Sequence, residues 1–134
     1  SPAPTLVRVS WAGGPVAYAM CAIDALGVSA MLGRPVTITA AEPGTGQVIT
    51  VEVDRDEARW SAPGAVVFSG TTGSTSCSSA DRSCGYINFF TSARAARDWS
   101  AQHPGITGKI LDQARALRNG IAEFGTLMRP EEGG

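Results

Sequence analysis

The stretch from Val16 to Leu32 constrains this chain most. It is rich in Ala, Leu and Met, its only charge is Asp24, and Gly33-Arg34-Pro35 closes it. Such a run reads as a helix that is apolar nearly all round, and a helix of that kind sits buried at the centre of a fold. Pro15 suits its first position. Gly33 stands where a left-handed C-terminal cap belongs. The run is not a membrane span, because Asp24 interrupts it before the roughly 18 apolar residues that a span needs.

The flanking segments supply the cover. Val7, Val9 and Trp11 alternate with Arg8 and Ser10, a period-two strand, and Ala12-Gly13-Gly14 follows as a turn. Val36 to Ala40 reads as a strand, Pro43-Gly44-Thr45-Gly46 as a turn, and Val48 to Val53 as a second strand with Ile49, Val51 and Val53 on one face. Together they predict a hairpin. Asp54 to Ser61 is short and polar. Ala65 to Phe68 and Tyr86 to Phe90 are further strands, separated by a Gly, Ser and Thr stretch from Gly70 to Ser83 that carries Cys77. A loop of that length points to function or mobility. Ser92 can cap a helix running through Ala95, Ala96 and Trp99 to about Gln102. Pro104-Gly105 ends it, and a last helix is expected from Thr107 to Met128, with Ile110, Leu111, Ala114, Leu117, Ile121, Phe124 and Leu127 at helical spacing. Gly120 and Gly125 weaken that helix locally. This order predicts an α+β fold: a mostly antiparallel sheet packed with a buried central helix and C-terminal helices. We find no internal repeat and read residues 1–134 as a single domain.

Composition removes several function classes. A net charge of -1 offers no basic stripe for nucleic acid and no reason to invoke an anionic membrane. Ser-Pro-Ala-Pro at the start has neither the charged nor the apolar region of a signal peptide. Three cysteines are too few and odd for a disulfide scaffold, so free thiols in a reducing cytoplasm are expected.

Chemistry is carried by few residues. Cys21 and Asp24 are three apart, a spacing that places two side chains on one helix face. A carboxylate beside a thiol can take its proton and return it to a reacting group. The plainer alternative is a small core cysteine with Asp24 bonded to a nearby amide. Cys84 opens an apolar strand after the long loop, a good place to present a thiolate and equally a place for a buried strand residue. Cys77 reads as incidental. Three cysteines with His103 would make four zinc ligands, but the C-x-x-C spacing usual in structural zinc sites is missing, and His103 reads as a helix-end residue. The loop from Gly70 to Thr75 lacks the Gly-Lys-[Ser/Thr] ending of a phosphate loop, and no Gly-x-Ser-x-Gly elbow occurs. Two thiolates are soft ligands that select soft metals. With an acid beside them they suit a carbon–soft-metal bond that breaks on protonation.

Tyr18-Ala19-Met20-Cys21-Ala22-Ile23-Asp24-Ala25-Leu26 followed by Leu32-Gly33-Arg34, and Cys84-Gly85-Tyr86-Ile87-Asn88-Phe89-Phe90 followed by Asp98-Trp99 and His103-Pro104-Gly105, agree in order and spacing with one family. On these segments the chain resembles the organomercurial (alkylmercury) lyases, as their core domain without the helical N-terminal domain that usually precedes it. The resemblance implies protonolysis of a carbon–mercury bond to a hydrocarbon and Hg(II). Cys21 and Cys84 would be the mercury-binding thiols and Asp24 the proton shuttle, also beside the metal. It implies no organic cofactor, since mercury arrives with the substrate. It implies an organomercurial small molecule, low-molecular-weight thiols and a mercuric reductase as partners. Two other expectations stand beside it: a non-catalytic domain holding Hg(II) or Cu(I) between the same thiols, and recruitment to another thiol-dependent reaction.

Overall fold

Alternation in the first half of the chain becomes pairing. The computed structural model describes residues 7–72 and 86–128, with side chains for all but residues 71, 72 and 124–128. Strands β1 (Val7–Ser10), β2 (Ala17–Ala19), β3 (Val36–Ala41), β4 (Val48–Asp54) and β5 (Glu57–Trp60) form an antiparallel sheet in the order β2-β1-β3-β4-β5. The expected hairpin is β3-β4, with Ile38 opposite Val51. Val7, Val9, Val36, Ile38, Ala40, Ile49, Val51 and Val53 are buried on one face of this sheet. That is the face their period-two spacing defines.

Strands β6 (Val66–Thr72), β7 (Tyr86–Phe90) and β8 (Ile106–Leu111) form a second antiparallel sheet in the order β7-β6-β8. Val67, Phe89 and Leu111 lie on its inner face and join the main core. Val66, Phe68 and Phe90 face the other way and pack with Ala96 and Trp99 of helix α2 (Ala93–Ala101). Ser92 caps that helix as expected, its Oγ accepting from the Ala95 N–H at 3.0 Å.

Helix α1 (Ala22–Leu32) is the buried centre. It packs against the five-stranded sheet, β7 and helix α3 (Gln113–Met128), which is why its sequence is apolar nearly all round. Its approach to α3 is close at Gly120. A Cβ there would lie 2.6 Å from the Ile23 carbonyl oxygen and 3.0 Å from the Gly27 nitrogen. Gly33 ends α1 at φ 72°, its N–H donating to the Ser29 carbonyl at 2.8 Å.

The α+β class with antiparallel sheets is as expected, and three elements correct the sequence reading. The central helix begins at Ala22, not near Val16. A turn with Gly13 at φ 74° folds Ala17–Ala19 back on β1, and ladder bonds hold them as an edge strand, with Val7 opposite Ala19. The polar segment 54–61 contains β5, because Trp60 reaches the core and packs edge-on against Phe89 at 5.7 Å. The last helix starts at Gln113, since Ile106–Leu111 pair with β6 instead. Gly108 permits that pairing: a Cβ there would run into the Ser69 carbonyl.

Candidate active site at the start of the central helix

Cys21 is the residue immediately before α1, not a member of it. Its backbone is extended (φ −157°, ψ 172°), and its carbonyl accepts the Ala25 N–H at 3.0 Å. Its sulfur accepts the Asp24 backbone N–H at 3.4 Å. This is the position usually held by Ser, Thr, Asp or Asn, whose side chain satisfies a free amide of the first turn. Asp24 occupies the third helical position, where an acidic side chain can reach back to the cap. The sequence spacing therefore does bring Cys21 and Asp24 together, through an N-cap rather than one helix face.

The cap has electrostatic consequences. Cys21 is 3% exposed. Burial is the main cause that pushes its thiol up to about 11; the negative charges of Asp24 and Glu123 add to it, and backbone amides of Asp24 and Ile23 oppose it. Burial also raises the Asp24 carboxyl above its ordinary value, against a hydrogen bond with the Cys21 thiol. The Asp24 charge thus disfavours ionisation of Cys21, whereas the Cys21 thiol only partly offsets the effect of burial on Asp24, and at neutral pH the sulfur keeps its proton beside a carboxylate that is easier than usual to protonate.

Asp24 opens into a cavity of about 320 Å³ lined by Val9, Trp11, Ala17, Tyr18, Ala19, Met20, Asp24, Val28, Met31 and Leu32. Asp24 is its only charged lining residue. The edge strand β2 forms one wall and one stripe of α1 the other. Trp11 is seated by Gly14, where a Cβ would overlap the indole. Sequence reasoning missed these lining residues. The signal was present in the spacing of Asp24, Val28 and Met31, at i, i+4 and i+7 on one helix stripe. A larger groove of about 710 Å³ follows the outward positions Thr37, Glu52 and Arg59 of the five-stranded sheet. Asp24 does not line it, so the smaller cavity, which Asp24 does line, is the chemically relevant one.

His103 is a helix-end residue, as expected. Its ring stacks on Trp99 at 4.1 Å, with Nδ1 2.8 Å from the Trp99 carbonyl oxygen, in the cluster on the far face of the second sheet. Among the described residues no three His, Cys, Asp or Glu side chains gather as metal ligands, and no helix is long and apolar enough to cross a membrane. Cys77, Cys84 and the stretch from Gly73 to Gly85 lie outside the described residues.

Comparison with known proteins places this arrangement in context. The family model for alkylmercury lyase matches residues 1–125. An alkylmercury lyase from Bacillus cereus is 37% identical over 111 residues, covering 83% of this chain and 48% of that protein. One from Streptomyces lividans is 31% identical, covering 77% of this chain and 47% of that protein. The chain thus spans about half the length of the curated relatives it matches. Among solved structures, the mercury-bound form of MerB2 superposes with a TM-score of 0.69 at 27% identity, covering 90% of this chain and 57% of that one.

Proposed function

This chain belongs to the alkylmercury lyase family, and on that premise we propose that it cleaves the carbon–mercury bond of organomercurials by protonolysis, with Cys21 and Cys84 as thiol ligands and Asp24 as proton donor. The observation that carries the reading is the Cys21–Asp24 cap: a buried, protonated thiol beside a carboxylate of raised pKa that itself lines an apolar cavity.

The organomercurial arrives as R–Hg bound to a small thiolate. Cys84 exchanges for that thiolate, and its proton leaves with the departing thiol. Cys21, buried and protonated, makes the second capture. Coordination to a soft metal ionises a thiol, and the Cys21 proton passes to the adjacent Asp24 carboxylate. Asp24 then protonates the carbon, and the electron pair of the carbon–mercury bond becomes the new C–H bond. A hydrocarbon leaves, and Hg(II) remains between two thiolates. Low-molecular-weight thiols, or a mercuric reductase acting downstream, remove it. No organic cofactor takes part.

The test is product release. Purified protein in excess thiol, given phenylmercury, is expected to release benzene above the protein-free background, measured by gas chromatography. Stoichiometric mercury binding with no benzene would instead identify a soft-metal-binding domain and end the lyase reading.

A further inference from the structure

The proton must be delivered to carbon, so the organic group of the substrate has to lie against Asp24. The space that Asp24 opens into is the cavity of about 320 Å³ between β2 and α1, and every other residue lining it is uncharged. A cavity of roughly 150 Å³ already holds benzene, so this one has room for a ring and more. We propose that this cavity is the subsite for the organic group and that Val28 and Met31 set how large a group it accepts. The identity of the occupant rests on the lyase reading above; the existence of an apolar subsite does not.

The helix supplies a ruler. Asp24, Val28 and Met31 line the cavity along one stripe of α1. At a rise of about 1.5 Å per residue, Val28 lies ~6 Å and Met31 ~10 Å along the axis from the proton donor. A methyl group bound at Asp24 does not reach Val28. A phenyl ring does, and a longer alkyl chain extends to Met31. Opposite them stand Trp11 and Tyr18, which offer aromatic surface to a ring. Met20 and Met31 are flexible and polarisable, which suits a wall that must fit groups of different shape. Met20 is 48% exposed and Tyr18 61% exposed, so the wall that β2 contributes borders solvent.

Two measurements test this. The first compares kcat/KM for phenylmercury and methylmercury in the protein and in Val28→Phe, which fills the middle of the cavity. The phenyl-to-methyl ratio is expected to fall at least tenfold, whereas Met31→Ala should raise the ratio for a butyl over a methyl substrate. An unchanged ratio in a Val28→Phe protein that keeps its circular dichroism overturns the proposal. The second needs no turnover. In protein carrying 13C-methyl methionine, titration with toluene should shift the Met20 and Met31 methyl signals; absence of those two shifts overturns the proposal. If neither mercurial is cleaved by the unaltered protein, the lyase reading fails, and the toluene titration alone decides the subsite.

Discussion

At the scale of single residues, Cys21 decides most. A serine in its place would cap α1 as well, so the cap does not explain the sulfur. What the sulfur adds is a proton whose affinity is set by burial. Unfolded, the thiol titrates near 9.0, and folded, near 11. Between those values the unfolded chain has lost the proton and the folded chain keeps it. The stabilisation from this group is therefore whole below about pH 9 and is lost as pH rises towards 11, by up to about 3 kcal/mol. Urea unfolding of the protein and of Cys21→Ser should show the two stabilities converging from pH 7 to pH 10.5. Parallel pH profiles would mean that Cys21 titrates as an ordinary exposed thiol. The pairing of Cys21 with Asp24 was legible in the sequence because both lie within one turn. The cap was not, because an apolar run gives no sign of where its helix begins. The proposed partnership with Cys84 would link positions far apart in the chain, and spacing carries no signal for that.

At the scale of elements, the strands that alternate cleanly were legible and those that do not were hidden. β1, β3 and β4 place their apolar residues two apart, and burial follows that pattern. β2 is Ala-Tyr-Ala inside an apolar run, and β8 carries Ile106, Ile110 and Leu111 at a spacing that also fits a helix. Only pairing with β1 and β6 resolves them. Pairing is a tertiary effect that overrides local preference. The contact that positions the site is the crossing of α1 and α3. Gly120 was read as a weak point in a helix, and it is where α3 approaches the Ile23 carbonyl, one residue before Asp24. Gly120→Ala gains helix propensity but forces the helices apart, so it should destabilise by about 1–3 kcal/mol. Because the displaced backbone carries Asp24, hydrocarbon release should slow as well. Greater stability in urea would show that the crossing is not tight.

At the scale of the whole molecule, the two sheets are joined by a buried acid. Glu42, 3% exposed, follows β3. Its carboxylate accepts the Thr91 N–H at 2.7 Å and the Thr91 hydroxyl at 2.8 Å, just beyond β7, and the Thr45 hydroxyl at 2.5 Å. Burial works to raise this carboxyl, and the three hydrogen bonds outweigh it and hold it below its usual 4.5. A lowered folded value means stability that is present above about pH 4.5 and is lost as pH falls through the folded value. Glu42→Ala should cost about 3 kcal/mol at pH 7, and the gap to the unaltered protein should narrow by pH 3. A constant gap would assign the loss to packing alone. This tie connects the sheet that carries the cavity to the strand that follows Cys84 in the chain, so its loss should also reduce mercury affinity. Whether Asp24 delivers the proton is read from a single turnover. Phenylmercury is loaded at one equivalent onto the protein and onto Asp24→Ala, bound mercury is measured, and benzene is followed over time. Mercury binding is expected to be equal in the two proteins and benzene release slowed at least a hundredfold in Asp24→Ala, in keeping with the usual contribution of a positioned acid of about 10²–10⁴. Benzene release from Asp24→Ala at the unaltered rate would contradict proton delivery by Asp24.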